Sequence, residues 1–294
     1  MYTKTLILSA ALATAACPST LLADEALSGL EASSPWNIDY APENCRLSRR
    51  FGEDDDVVTM HIIKTNPDRF FDLSFVSNAF GKPDDAFGLK LRFGGLEERE
   101  FDRGVFVAKT SDGQSALLAG RNTFSEWDTT KKEWIDPEDA ELATIRRIEI
   151  ELPKKRAISL LSGPMDAPML ALENCYDDLV RTWGFEPDAL EQLSEAPEPI
   201  GSPAKWLTEY PLDLLRNRQT ARLELRLAIG SNGTIEDCVV QNLVGNEAFA
   251  EKTCEHFKRK GRFKPARDAD GNAVRGLWFD TIVFGIGPAR RINL

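Results

Sequence analysis

The chain has 294 residues, 42% of them hydrophobic and 28% charged, with a net charge of −11. That balance excludes a disordered or fibrous chain and leaves room for two domains with cores of their own. The charge is uneven: residues 201–294 carry 15 Lys plus Arg against 11 Asp plus Glu, net +4, and the remainder carries 21 against 36, net −15. An acidic front and a mildly basic back argue against nucleic acid and against anionic membrane surfaces as partners.

The chain opens with Lys4, an apolar run from Leu6 to Ala16, then Pro18 to Ala23 ahead of Asp24-Glu25. This is the layout of a secretory signal peptide, with cleavage expected after Ala23 and a periplasmic mature protein. An uncleaved anchor is the alternative, but the strongly apolar part is broken at Pro18 and short for a span. Lipidation at Cys17 is a further alternative, with Thr14 standing where such signals carry Leu. No later segment approaches a transmembrane length, so no stable membrane span is expected after cleavage.

Residues 36–186 read as a mostly antiparallel β domain closed by a helix. Cys45 to Gly52 looks like an entry strand, followed by Val57 to Lys64, Phe70 to Val76, Phe87 to Phe93, Val105 to Lys109 and Ser115 to Ala119. Ile145 to Leu152 and Ala157 to Leu161 are later strands. Gly81-Lys-Pro83, Gly94-Gly95 and Ser111-Asp-Gly113 punctuate them, a spacing that predicts a sandwich or roll. Asp166 to Trp183 then places Met169, Leu172, Tyr176, Leu179 and Trp183 on one helical face, with Asp177-Asp178 toward solvent. Residues 187–203 hold four prolines with acids between them. They predict a helical turn over Asp188 to Leu193 and then an extended, charged connector.

The C-terminal unit, residues 204–290, follows. Ala221, Leu223, Leu225, Leu227 and Ile229 alternate with Arg222, Glu224 and Arg226, the pattern of a half-buried strand. Ser231-Asn232-Gly233 turns the chain into a second strand, Thr234 to Leu243. A helix-like run comes next, with Lys258-Arg259-Lys260 where cations favour the dipole of a helix C-terminus. Phe263-Lys-Pro-Ala266 and the Asp270-Gly271 turn lead into a last strand, Leu277 to Phe284.

In this order of elements, and in Tyr210-Pro211, Asn232-Gly233, Gly245, Phe263-Lys264-Pro265-Ala266 and Gly271, residues 203–287 resemble the C-terminal domain of TonB-type energy transducers. The overall fold class expected is therefore α+β: an N-terminal antiparallel β domain plus a small TonB C-terminal-like domain. The resemblance implies a small sheet whose last long strand, here Val274 to Phe284, accepts an extended peptide from a protein partner. Val274, Leu277, Phe279 and Ile282 are the partner-binding residues it implies. Trp278 between Leu277 and Phe279 makes that strand apolar on both faces, as expected of a strand covered on both sides or an edge awaiting a partner. The chain departs from the family at Leu243-Val244-Gly245, where a Ser-Ser-Gly turn is usual, and at Gln219-Thr220, where Gly commonly opens the first strand. Seventeen residues of connector are also too few to cross the periplasm. Segments similar to Cys45–Gly52 and Cys175–Gly184 occur in front of such domains in exported bacterial proteins, and they imply no activity.

After removal of Cys17 four cysteines remain, which allow three pairings. Domain locality selects Cys45 with Cys175 and Cys238 with Cys254. An oxidising periplasm permits both, and closing the 16-residue loop stabilises by about 3 kcal/mol in the chain-entropy model. No cysteine pair has CxxC spacing, and His61 and His256 lack companions at ligand spacing, so neither a metal nor a cofactor is expected. Asp54-Asp55-Asp56, Asp84-Asp85 and Glu97-Glu98-Arg99-Glu100 read as solvated runs rather than calcium loops. With no GxSxG, P-loop or GxGxxG, the chain is expected not to be an enzyme.

Three functions remain open at this level. The first is an exported periplasmic adaptor that binds a protein or peptide by strand addition, as a monomer or weak dimer. The second is a TonB-type transducer of outer-membrane transport with a retained N-terminal anchor. The third is an enzyme whose site in the front domain carries no known motif.

Overall fold

The computed structural model of the chain describes residues 29–80, 89–94, 100–103, 105–110, 112–152, 157–207, 214, 216–217 and 219–284. The expected signal peptide at residues 1–23, Cys17, Asp84-Asp85, Glu97-Glu98-Arg99 and Tyr210-Pro211 lie outside the described residues. No helix among them is long and apolar enough to cross a membrane.

The front unit contains β1 (Asn37–Tyr40), β2 (Cys45–Phe51), β3 (Val58–Lys64), β4 (Phe71–Ser77), β5 (Leu89–Gly94) and β6 (Glu100–Arg103). It continues with β7 (Phe106–Lys109), β8 (Ser115–Asn122), β9 (Glu126–Asp128), β10 (Glu133–Ile135), β11 (Arg147–Glu151) and β12 (Ile158–Leu160). Six strands form one sheet in the order β1-β2-β3-β4-β8-β7, and four form another, β12-β11-β5-β6. Neighbouring strands in both sheets are antiparallel.

Alternation explains both sheets. Val58, Met60, Ile62 and Lys64 of β3 are buried between half-buried neighbours, and Leu89, Leu91 and Phe93 do the same in β5. The inward rows of both sheets join a single apolar cluster. Helix α1 (Asp139–Leu142) is short. Helix α2 (Asp166–Thr182) adds Met169, Leu172, Cys175, Tyr176, Leu179 and Val180 to that cluster. A disulfide from Cys45 to Cys175, Cα atoms 6.1 Å apart, ties β2 to α2. Buried Lys64 keeps its charge satisfied by donating from Nζ to Glu173 at 2.7 Å and to the Asp68 carbonyl at 3.1 Å.

The hairpin β9–β10 escaped the sequence pattern because it has no buried face to alternate. Its Trp127 and Trp134 meet edge to face across the strands, ring centroids 5.5 Å apart, and stay exposed. Asp54–Asp56 form a single tight 3₁₀ turn.

The second half contains α3 (Pro187–Glu191), β13 (Glu198–Pro199), α4 (Pro203–Trp206), β14 (Ala221–Ile229), β15 (Ile235–Val244) and α5 (Ala248–Lys260). It ends with β16 (Phe263–Lys264), β17 (Ala266–Arg267), β18 (Ala273–Val274) and β19 (Gly276–Phe284). A three-stranded antiparallel sheet runs β15-β14-β19. Phe249 and Phe257 of α5 pack into one apolar cluster with Leu223, Leu225, Leu227 and Ile229 of β14. The Asn246 side chain caps Ala248 N–H at the start of α5, and Lys258, Arg259 and Lys260 occupy its last turn as expected. The disulfide Cys238–Cys254, Cα atoms 5.6 Å apart, staples β15 to α5.

The Phe263-Lys-Pro-Ala266 stretch is where connector, turn and sheet meet. Phe263 is buried against Trp206 and Trp278, with ring centroids 5.6 and 5.2 Å away. Its N–H donates to the Gly233 carbonyl at 3.0 Å, and a Cβ at Gly233 would collide with the Phe263 carbonyl. Gly233 also has φ 78°, so this turn demands glycine twice over. Asp270-Gly271 forms the β17–β18 turn, with Gly271 at φ 81°. The connector is extended but not free. Arg267 N–H donates to Glu195, β13 pairs with β16, and Ile200 N–H donates to the Arg262 carbonyl at 2.7 Å.

One expectation is corrected here. Strand β14 is buried on both faces rather than half-buried: Glu224 and Arg226 are 5% and 4% exposed. Their face of the sheet packs against the front unit, so Ala228 and Leu277 join its apolar core.

Candidate functional site

Period-two alternation sends the odd residues of β14 to α5 and the even ones to the front unit. Register carries the same division into β19, where Arg226 faces Phe279, Ala228 faces Leu277 and Glu224 faces Thr281. Across the interface stand Glu43, Asp72 and Trp183. Arg226 donates to Glu43 at 3.1 Å and lies 4.3 Å over the Trp183 ring, which in turn is 6.5 Å from Phe279. Gln241 Nε2 donates to the Glu43 carbonyl at 3.0 Å.

The centre of the interface is a three-group cluster. Arg222 donates to Asp72 at 3.0 Å and, through its other terminal nitrogen, to Glu224 Oε1. Burial, and next the negative charge of Glu224, push the Asp72 carboxyl up to about 7 against the pull of Arg222 and Arg121. With Asp72 protonated, its hydroxyl donates to Glu224. With both ionised, Glu224 Oε2 has no donor among the described residues.

A cavity of about 330 Å³ opens beside this cluster. Asp68, Asp72 and Arg121 of the front unit, Leu190, Leu193, Ala196 and Pro197 of the connector, Glu224 of β14 and Leu277 to Thr281 of β19 line it. Arg121 is held by Asp68 and lies 4.5 Å from the Phe70 ring. Burial raises the Asp280 carboxyl.

The cavity runs along the outermost strand of the sheet. Among the described strands β19 pairs only with β14, in unbroken register over nine residues. Its two faces are covered: Leu277 and Phe279 pack into the front core, while Trp278, Ile282 and Phe284 pack into the cluster under α5. The apolar character of both faces is thereby explained, and the strand's outer edge is what remains. The opposite edge, β15, carries two bulges in its pairing with β14, together with Glu236 and Asp237. Bulges and charges are devices that blunt an edge.

Of the expected partner-binding residues, Leu277, Phe279 and Ile282 lie on β19. Val274 stands in β18, paired with Ala266. The four cysteines pair as expected. His61 accepts or donates at Nδ1 to Ser48 Oγ at 2.7 Å, and burial, then Arg46, lower its pKa to about 4. The His256 ring accepts from Arg259 at 2.9 Å on α5. No group of three or more His, Cys, Asp or Glu among the described residues could hold a metal ion.

Asp72, Arg121, Arg222 and Glu224 were not singled out from the sequence. Arg222 and Asp72 are 150 residues apart, and alternation alone does not say what a polar row meets. No curated protein and no solved structure matches the chain. Residues 208–284, which hold the three-stranded sheet, α5 and the Phe263-Lys-Pro-Ala266 turn, match the family of the Gram-negative bacterial TonB protein C-terminal.

Proposed function

We propose that the protein is an exported envelope adaptor that takes an extended segment of a protein partner onto the outer edge of β19. The observation that supports this most is the position of β19. It is terminal in the sheet order, regular along its length and packed by apolar side chains on both faces up to Ile282, which leaves its edge for main-chain contact. Backbone hydrogen bonds supply affinity in such a complex, and the side chains at alternate positions supply register. The match to a TonB-type C-terminal domain supports an envelope setting, and the two disulfides agree with an oxidising compartment. In this role the front unit and the docked connector hold the sheet, and the mature protein begins after Ala23.

The test uses a photo-reactive amino acid at Val283, which is 54% exposed on β19, and the same group at Leu170, 57% exposed on α2 of the front unit. The adaptor role predicts cross-links from position 283 to a defined segment of an envelope protein, and none to that segment from position 170. Equal labelling from both positions, or none from 283, would refute it.

A further inference from the structure

The cavity between the two units has features that strand addition does not use. Its lining holds four carboxylates, Asp68, Asp72, Glu224 and Asp280, against one arginine, Arg121. Arg121 is committed to Asp68, and Arg222 behind the wall is committed to Asp72 and Glu224. Counting both arginines, the fully ionised cluster is short of two positive charges. Glu224 is 5% exposed, and its Oε2 reaches no donor among the described residues. A buried acceptor without a donor costs free energy that a bound N–H group would recover. The other walls are apolar: Leu190 and Leu193 from the connector, and Leu277, Trp278 and Phe279 from β19. The volume of about 330 Å³ falls at the small end of ligand sites.

We propose that this cavity binds a compact organic cation, a primary ammonium group on a short apolar body, with Glu224 Oε2 accepting its N–H donors on the front-unit face of the sheet. Leu190 and Leu193 of the connector and Leu277 and Phe279 of β19 pack the carbons. A bare metal ion fits the walls poorly, because two arginines and an apolar surface take the place of oxygen ligands. The ammonium competes with the proton that Asp72 shares with Glu224. The charged groups around that proton are Arg222 and Glu224 of β14, Arg121 of β8, Asp68 of the β3–β4 loop and Asp280 of β19. Binding therefore releases a proton, and affinity weakens about tenfold from pH 8 to pH 6. This inference is independent of the partner at the β19 edge.

The probe is n-butylamine, titrated into the full oxidised chain and followed through the backbone amide NMR signals of Asp280 and Thr281, with n-butanol as the uncharged control. The ammonium site predicts saturable shifts with butylamine only, weaker at pH 6 than at pH 8, and about tenfold weaker in Glu224→Gln. If Glu224→Gln fails to fold, the pH dependence of the unaltered chain and its loss in Asp72→Asn carry the test. Capped lysine and capped norleucine separate the sources: lysine-dependent binding assigns a protein side chain, and butylamine binding without it assigns a free amine. Equal shifts with butanol, no shifts with any amine, or an affinity that rises on acidification would each overturn the proposal.

Discussion

On the side of β14 turned to α5, Leu223, Leu225, Leu227 and Ile229 are buried among aromatic rings. On the other side of the same strand, Glu224 and Arg226 are buried almost as deeply among charges of the front unit. The two faces reach similar burial by opposite chemistry. The first is stabilised in proportion to apolar area and needs no partner in a fixed direction. The second is tolerable only while each charge has its counter-charge and hydrogen bonds. Tight packing thus belongs to the helix side, while sensitivity to protons and ligands belongs to the side where the two units meet.

That contrast breaks first at the helix face. Phe249→Ala removes a ring with no exposure from under α5 and is expected to cost about 4 kcal/mol in urea unfolding, at any pH. A loss below about 1 kcal/mol would mean that the cluster collapses around the gap. On the charged face, Arg222→Ala leaves Asp72 and Glu224 facing each other without a counter-ion and is expected to cost about 3 kcal/mol at pH 8. The same variant should lose less at pH 5, where Asp72 carries a proton. A loss independent of pH would show that Arg222 acts through packing alone.

The titration of Asp72 sharpens the comparison further. Its carboxyl is at about 7 in the folded chain and 3.8 ordinarily, so between those values the folded state holds a proton that the unfolded state has released. Stability from this group therefore falls as pH rises through that window. Asp72→Asn should flatten the wild-type profile by about 2 kcal/mol, a value reduced because Glu224 and Arg222 share the titration. Calorimetric midpoints of the two proteins from pH 4 to pH 8 provide the check. The smallest effect belongs to the solvated side of α5. Lys252 and Glu255 are each about half exposed, and Lys252→Ala should leave the unfolding midpoint unchanged.

Much of this arrangement was legible in the residues. Turn punctuation located β3 and β5, alternation located β14, helical spacing located α2, and domain locality paired the cysteines. Phe263, Pro265 and Asp270-Gly271 marked the turn that joins connector and sheet. The interface was not legible, because a strand with one apolar row looks the same whether its polar row meets water or another domain. Glu224 becomes informative only once Asp72, 152 positions earlier, is known to lie beside Arg222. The β9–β10 hairpin was missed for the converse reason, since its exposed Trp127 and Trp134 give no alternation. Val274 fell outside β19 because Arg275, which belongs to neither strand, separates β18 from the long strand.

The central claim is that the front unit and α5 cover the middle of the C-terminal sheet and that its partner joins at the edge of β19. Amide hydrogen exchange of the full oxidised chain, with and without the partner segment recovered by cross-linking, tests it most directly. The account predicts protection gained along Gly276–Phe284, with α2 and β15 unchanged. Protection gained on α2 or β15 while β19 stays as it was would contradict it.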